Sequence, residues 1–416
     1  MLRRSLGVLV AVIAPLEAQD VPAVPSLEHR AVRQTLDRLQ TDNSWTVEQQ
    51  ISICEIPAPP FREAARAAEF QRRLQALGYR DVRIDAEGNV IARRPGREGG
   101  PTVVLSAHLD TVFPEGTDVT VRRDGPRLRA PGIGDDCRGL AVVLAVARAL
   151  AAANAETRGD ILFVGTVGEE GAGNLRGVRH LFIRELPDRI DYFISVDGTG
   201  LGLTTAAVGS HRYRITYHGP GGHSYGAFGM PNPAHALGRA MARIAEFQVP
   251  ADPKTTFNVG VIGGGTSVNS IAPEAWMDVD MRSESPAALD SVVARFWVAV
   301  NAALEAERAR WPDSRAPLAY RVDTIGIRPA GSQPDSAAIV RTALEAARAL
   351  GFTTTPGASS TDANLPISLG IPAITIDGGG SGRGAHSTAE WYEDGEQGWL
   401  GPQWAALITL ALAGVR

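Results

Sequence analysis

Four short apolar runs along the chain each lead into acidic or histidine side chains. The runs cover residues 102–106, 161–167, 192–196 and 373–376, and they lead to His108, to Glu169–Glu170, to Asp197 and to Asp377. Continuous apolar runs separated by helical patterns are typical of parallel strands that are buried on both faces. Ligands bind beyond the carboxyl ends of such strands, so these polar side chains are expected to converge.

Helical periodicity fills the segments between these runs. Residues 62–77, 140–153 and 336–350 form amphipathic or apolar helical patterns, and Gly78 and Gly351 close the first and the last. The fold class predicted is therefore α/β, with a mostly parallel sheet flanked by helices.

Between residues 208 and 317 the pattern changes. Segments 212–217 and 275–281 alternate apolar and polar residues, and residues 233–247 and 287–308 are helical. Alternating strands with one solvated face, together with two helices, predict an inserted α+β sandwich. The expected catalytic domain then consists of residues 27–207 and 318–416, with 208–317 as an inserted lid or dimerisation domain.

The beginning of the chain has the pattern of a secretory signal peptide. Arg3 and Arg4 precede a nearly continuous apolar run at 6–16, and Ala18 offers a small residue for cleavage. We expect a signal peptide at 1–18, a disordered lead-in at 19–26 and an exported mature protein. The alternatives are a misassigned start or a short anchor, but a span needs about twenty apolar residues, and no other segment is expected to cross a membrane.

Charge and cysteine content limit the possible partners and cross-links. The formal net charge is -5, with both signs interspersed, so no basic stripe is available for nucleic acid. Only two cysteines occur, Cys54 and Cys137. They do not provide a disulfide framework, although one bridge is possible, and Cys54 fits best as a small core residue.

The residues near the strand ends include a set of metal ligands. Imidazoles and carboxylates bind zinc, manganese or cobalt, and two ions can share one bridging carboxylate. The candidate ligands are His108, Asp135, Glu170, Asp197 and His386. Each has a simpler alternative: a helix cap for Asp135 or Asp136, and a turn for Asp197. Asp110 could start a turn, or accept a hydrogen bond from the His108 ring and fix its tautomer.

The adjacent glutamates are harder to explain structurally. Two neighbouring carboxylates at the end of a buried strand repel each other unless a cation or a proton holds them. A metal site therefore accounts for Glu169 and Glu170 better than coincidence does.

Six motifs together resemble a known family. They are SAHLDTVF at 106–113, GIGDDCRGL at 132–140, GEEG at 168–171, SVDG at 195–198, GPGGHS at 219–224 and GAHS at 384–387. In this order they resemble the dinuclear zinc exopeptidases that include peptidase T, the glutamate carboxypeptidases and succinyl-diaminopimelate desuccinylase. The resemblance extends from about Thr46 to the end of the chain.

The resemblance implies a role for each candidate. His108 and Asp197 would bind one metal, Glu170 and His386 the other, and Asp135 would bridge them through a cis peptide bond to Asp136. Glu169 would be the general base, with Asp110 supporting the site. The metals would be two divalent ions, zinc first, with cobalt or manganese as alternatives. Cys137 departs from the lysine of the family motif and is treated as a packing residue.

The inserted domain would contribute further residues. By resemblance, His223 would stabilise the oxyanion and reach the partner's active site in a homodimer; its alternative is an ordinary turn histidine. Asn269, in the loop GGGTSVN, and Arg282 would lie near the substrate carboxylate. A glycine-rich loop is also common as a bulge or tight turn.

The expected substrates are short peptides or N-acyl amino acids. Aspartate at position 197 favours an aminopeptidase or tripeptidase of the peptidase T kind, whereas glutamate there is usual in carboxypeptidases and deacylases. The second hypothesis is a carboxypeptidase or N-acyl-amino-acid amidohydrolase of the same family. A third, a non-catalytic peptide-binding relative, is disfavoured because all five ligands and Glu169 are present.

Overall fold

The computed structural model describes residues 22–416. The predicted signal peptide at 1–18 therefore lies outside the described residues. Part of the predicted lead-in is described, and Val24 within it packs against the main hydrophobic core. Val24 therefore contacts the folded part of the chain.

The helices alternate with strands along most of the chain. They are α1 (Arg30–Thr41), α2 (Asn43–Cys54), α3 (Ala64–Ala76), α4 (Cys137–Ala152), α5 (Arg176–His180), α6 (Pro233–Ala245), α7 (Pro286–Arg310), α8 (Ala338–Ala349), α9 (Asn364–Ser368) and α10 (Leu400–Ala413). A 3-10 turn at Gly171–Gly173 and a π-helical turn at Leu181–Glu185 flank α5.

Within residues 22–416, the strands form one large sheet and three smaller ones. They are β1 (Asp81–Ile84), β2 (Val90–Arg94), β3 (Val103–His108), β4 (Arg122–Asp124), β5 (Arg127–Arg129), β6 (Ile161–Thr166), β7 (Tyr192–Val196), β8 (Leu203–Ala207), β9 (Gly209–His218), β10 (Gly222–His223), β11 (Thr255–Gly264), β12 (Ser270–Ile271), β13 (Glu274–Ser283), β14 (Ala319–Arg328), β15 (Gly331–Ser332), β16 (Pro356–Ser359), β17 (Ala373–Ile376), β18 (Ser381–Arg383) and β19 (Trp391–Glu393).

The large sheet has a parallel centre and antiparallel edges. Its order is β1-β2-β6-β3-β7-β17-β8-β15, with β16 also paired to β8. Strands β6, β3, β7 and β17 are mutually parallel, whereas β1, β2 and β15 pair antiparallel. The predicted mostly parallel α/β sheet is therefore confirmed for the strands that carry the candidate ligands.

The central strands are buried on both faces, which explains their continuous apolar sequences. In β3, Val103 and Leu105 belong to the core under α4 and α10, while Val104 faces the opposite core under α5 and α9. In β6, Phe163 and Val164 divide in the same way. Both cysteines are buried and free in this arrangement, as expected for packing residues.

The inserted domain is a four-stranded antiparallel sheet in the order β11-β13-β9-β14. Helices α6 and α7 cover one face, and Tyr213, Met277 and Phe296 lie in the core between the layers. This is the predicted α+β sandwich. Its last strand, β14, ends at Arg328 and pairs along β9, so the sheet extends past the boundary expected at Pro317.

Helix α7 is long and apolar enough to cross a membrane by length and composition. The sequence analysis expected no such segment after the leader. Within the described fold, however, the buried residues Phe296 and Val300 of α7 pack on the inserted sheet. Its apolar character is thus partly explained by a core contact.

Candidate metal centre and active site

The predicted ligands converge at the carboxyl edge of the parallel strands. His108 is the last residue of β3, Glu170 follows β6, Asp197 follows β7 and Asp135 precedes α4. His386 comes from the segment between β18 and β19, which belongs to the small sheet β18-β19-β5-β4. Sequence positions far apart are therefore brought into one cluster by the sheet topology.

Asp135 lies between the two histidines. Its Oδ1 is 3.0 Å from His108 Nε2 and its Oδ2 is 3.1 Å from His386 Nε2. Glu170 Oε1 is 2.9 Å from the same His386 nitrogen. One carboxylate thus presents each oxygen to a different imidazole, which is the arrangement that a carboxylate bridging two metal ions requires.

The donor set fits divalent metal ions. One ligand atom each from His108, Asp135 and Glu170 lies within 4.8 Å of the others, and imidazole with carboxylate is a preferred environment for zinc. Asp197 lines the same cavity, and burial, followed by repulsion from Asp135, raises its pKa to about 7. A bound cation would relieve this repulsion between carboxylates.

Asp110 supports the cluster differently from the sequence prediction. The His108 Nδ1 atom is 3.0 Å from the main-chain oxygen of Asp110 and 3.7 Å from its carboxylate. The carboxylate accepts hydrogen bonds from the backbone N–H groups of Glu169 (3.0 Å) and Glu170 (2.8 Å). Burial alone would raise the pKa of Asp110, but His108 and these two N–H groups hold it below its usual value. Asp110 therefore fixes both glutamates as well as the ring.

Asp136 fulfils the helix-capping alternative, and Asp135 does not. The Asp136 carboxylate accepts from Gly139 N at the start of α4 and from His108 N. The Asp135–Asp136 peptide bond is cis, as the family resemblance implied. The two neighbouring aspartates thus have different contacts: Asp135 contacts the histidines of the cluster, and Asp136 accepts hydrogen bonds from the backbone.

Glu169 pairs with an arginine that the sequence analysis missed. Arg328 Nη1 is 2.9 Å from Glu169 Oε1, and Nη2 also donates to the Glu169 carbonyl oxygen. Both side chains are almost fully buried. Burial raises the pKa of the Glu169 carboxyl well above its usual range, although the positive charge of Arg328 opposes that effect.

Glu390 is the second residue that sequence reasoning missed. Its carboxylate accepts hydrogen bonds from the N–H groups of Gly132, Gly134 and Asp135 at 2.7 to 3.0 Å. Burial, followed by repulsion from Asp135, raises the pKa of Glu390 to about 7. This side chain holds the loop that presents Asp135, but no motif links it to that loop in the sequence.

A cavity of about 470 Å³ opens over the cluster. We call its carboxylate side the catalytic wall, which comprises Asp135, Glu169, Glu170, Asp197 and His386. We call the two arginines that the inserted sheet contributes from strands β9 and β13, Arg212 and Arg282, the lid wall. Arg328 of β14 also lines the cavity but bonds to Glu169. The predicted substrate residue Arg282 thus lines the same cavity as the candidate metal ligands.

His223 and Asn269 are not among the described residues that line this cavity. They lie together on the inserted domain, where β10 pairs with β12 and Ser224 N donates to the Asn269 carbonyl oxygen. Both side chains are exposed. The described residues of this chain therefore do not bring His223 and Asn269 to the cavity where their roles were predicted.

Comparison with known proteins agrees with this geometry. The sequence of residues 104–399 matches that of peptidase family M20/M25/M40. The chain is 27% identical over 238 residues to a succinyl-diaminopimelate desuccinylase of Corynebacterium glutamicum, covering 55% of this chain and 64% of that protein.

Solved structures share the fold. A tripeptidase from Staphylococcus aureus superposes with a TM-score of 0.71 at 21% identity, covering 91% of this chain and 98% of the other. The Bacillus subtilis protein YXEP, described as a dinuclear metal binding peptidase, superposes with a TM-score of 0.65 at 19% identity, covering 90% and 99%. With a family match that covers most of its length and a matching site geometry, this chain belongs to peptidase family M20/M25/M40.

Proposed function

We propose that this protein is a dinuclear metal-dependent exopeptidase that hydrolyses short peptides, with aminopeptidase or tripeptidase activity as the first candidate. The observation that carries the proposal is the position of Asp135, with one oxygen toward His108 and the other toward His386. Nearby, Glu169 bonds to Arg328 instead of to a histidine. A metal-dependent hydrolase needs both a bridging ligand and a separate proton carrier.

His108, Asp197 and the Asp135 bridge would hold one ion, and Glu170, His386 and the same bridge the other. When bound, two divalent ions supply Lewis acidity that acidifies a water molecule and polarises the scissile carbonyl. Zinc is our first choice because imidazole and carboxylate ligands suit it, and cobalt and manganese accept the same donors.

Glu169 would carry the proton. Glu169 lines the cavity and pairs with Arg328 rather than with either histidine. It could therefore take a proton from the attacking water and deliver it to the leaving amine. Asp110 anchors the N–H groups of both glutamates. This anchoring keeps the proton carrier and the ligand in fixed positions relative to each other.

The size and charge of the cavity support a small anionic substrate. A space of about 470 Å³ accommodates a short peptide and excludes a folded chain. Arg282 on the lid wall can bind a terminal carboxylate with its planar fork. The aminopeptidase assignment is supported by aspartate at position 197 and by the fold shared with the tripeptidase.

A second candidate is a carboxypeptidase or N-acyl-amino-acid amidohydrolase. It is favoured by one feature of the cavity: among the described lining residues, each carboxylate already has a proposed role as ligand or proton carrier. A free substrate amine would have no additional carboxylate to bind. The similarity to a desuccinylase points in the same direction.

We also propose export and a homodimer. The leader at 1–18 supports export. Tyr225 and Phe228 are largely exposed next to His223 on the inserted domain, and a second subunit that covers them would bring this histidine to the partner's cavity. Light scattering should give twice the chain mass, and a monomer at assay concentration would contradict the dimer.

Hydrolysis of matched peptides tests the activity. Leu-Gly-Gly, its N-acetyl form and its C-terminal amide are incubated with metal-loaded protein, with and without chelator. Chelator-sensitive cleavage that requires the free amine supports the aminopeptidase. Cleavage that tolerates the acetyl group but requires the free carboxylate supports the second candidate, and cleavage insensitive to chelator overturns both.

A further inference from the structure

The lid wall carries an arginine with no role in the proposed reaction. Arg212 lies on β9, directly opposite Asp280 of β13. The neighbouring residue Tyr213 points into the core of the inserted domain, so Arg212 projects from the opposite face and lines the cavity together with Arg282. Neither the family motifs nor the proposed mechanism uses this side chain.

Arg212 and Arg282 share one carboxylate. Arg212 Nε donates to Asp280 Oδ1 at 2.9 Å, and Arg282 Nε donates to Asp280 Oδ2 at 2.7 Å. Within residues 22–416, neither guanidinium donates a further hydrogen bond to a protein acceptor. Two positive charges are thus held side by side by one negative charge, with their terminal N–H groups free.

The next arginine on the same strand face is compensated more fully. Arg214 forms two 2.7 Å hydrogen bonds to Asp278 and stacks 4.0 Å from the Trp276 ring. On its other side, β14 places Asp323 opposite Arg214, whereas Gly326 is opposite Arg212. Arg214 therefore has an acidic residue on each flanking strand. Arg212, in contrast, shares Asp280 with Arg282 on one side and has a glycine on the other.

We infer that Arg212 is a specificity-determining residue that binds a second carboxylate of the substrate, beside the terminal carboxylate proposed for Arg282. The preferred substrates then carry an acidic side chain at that end, as in a peptide with C-terminal aspartate or glutamate. Guanidinium and carboxylate form paired, charge-assisted hydrogen bonds, and two adjacent guanidiniums match the two carboxylates of one dicarboxylic residue. This inference rests on the proposed function.

The first test compares Leu-Gly-Glu with Leu-Gly-Gln, which have nearly the same shape and differ in one charge. We expect the wild-type protein to favour the glutamate peptide by about 10- to 100-fold in kcat/KM, as a charged hydrogen-bonded pair predicts. Arg212→Gln should lower that ratio to about 1, and Arg212→Lys should keep part of it because the charge is retained.

Arg214→Gln is the matched control. It removes an arginine from the same strand face that does not line the cavity, so the ratio should stay at the wild-type value. The inference is overturned if the wild-type ratio is near 1, if Arg212→Gln leaves it unchanged, or if Arg214→Gln lowers it equally.

A binding measurement separates this inference from the proposed activity. Calorimetry with glutarate and with its monoamide requires no turnover. Tighter binding of glutarate by wild-type protein, lost in Arg212→Gln and kept in Arg214→Gln, supports the second carboxylate site even if neither peptide is cleaved. Equal binding of the two acids overturns it, whereas failure of peptide cleavage alone counts only against the proposed function.

Discussion

On the catalytic wall, polar side chains follow buried parallel strands, and their segments are held by hydrogen bonds that main-chain N–H groups donate to carboxylates. On the lid wall, arginines stand on the face of an antiparallel sheet and pair with side chains instead. Asp110 illustrates the first pattern and Asp280 the second.

The difference matters for function. A backbone hydrogen bond to a buried carboxylate fixes a loop, which suits ligands that must keep their positions within a few tenths of an ångström. Ion pairs between partly exposed side chains, such as those of Arg212 and Arg282 with Asp280, can exchange partners at a small cost in free energy. We therefore expect variants of the catalytic wall to change metal content or turnover, and variants of the lid wall to change substrate preference.

The largest effect is expected for Asp135→Ala. Removing this carboxylate takes away the group that lies between His108 and His386, so bound metal should be lost. The rate of peptide hydrolysis should then fall by about 10³-fold or more. Elemental analysis and a peptide assay measure the two quantities. Asp335→Ala, at an exposed turn, is the control and should keep both. Retention of two metals in Asp135→Ala would rule out a bridging role.

Glu169→Gln should separate metal binding from turnover on the same wall. Because Glu169 contacts Arg328 rather than the histidines, two metals should stay bound while kcat falls by about 10²- to 10⁴-fold, the usual contribution of a general base. Elemental analysis of the purified variant accompanies the kinetics. A metal-free variant would show that the assignments of base and ligand are wrong.

The candidate metal site was largely predictable from sequence because much of its signal is local. A buried strand needs a continuous apolar run, so His108, Glu169, Glu170 and Asp197 at the strand ends interrupt a clear pattern. The same logic gave the α/β fold and the inserted sandwich. The bridging role of Asp135 and the assignment of His386 to the second metal needed the family resemblance, because neither residue directly follows one of these strands.

The missed residues depend on contacts between distant parts of the chain. Arg328 bonds to a residue 159 positions away and Glu390 to one 258 positions away. Each is a single charge in a segment with no recurrent pattern, so nothing local distinguishes it from a solvated residue. The boundary expected at Pro317 differs from the structure for a similar reason: strand β14 belongs to the inserted sheet only through its pairing with β9.

Glu390→Gln tests the support behind the catalytic wall. In the wild-type protein, three backbone N–H groups donate to the two carboxylate oxygens of Glu390. Glutamine would replace one of these acceptors with an NH₂ group, which is itself a donor. The loop that presents Asp135 should loosen, with metal affinity lower by about 10- to 100-fold, as for other groups that orient metal ligands. Metal titration followed by activity measures this change.

Glu393→Gln is the matched control for that titration, because Glu393 lies three residues beyond Glu390, in β19, and pairs with Arg127 near the surface. It should keep the wild-type metal affinity. An equal loss of affinity in both variants would mean that the small sheet, rather than the Glu390 carboxylate, controls the loop.

The smallest effect is expected on the lid wall, for Arg282→Gln. The Arg282 side chain is 42% exposed and already shares Asp280 with Arg212, so solvent and the neighbouring charge should compensate for part of its loss. We expect metal content to stay unchanged and kcat/KM for Leu-Gly-Gly to fall about tenfold, near the lower end for a charged hydrogen bond. The C-terminal amide of the same peptide should lose little, because it has no carboxylate for Arg282 to bind. Equal losses for the acid and the amide would mean that Arg282 acts on the shape of the lid rather than on the substrate's charge, and a loss of metal would contradict the division between the two walls.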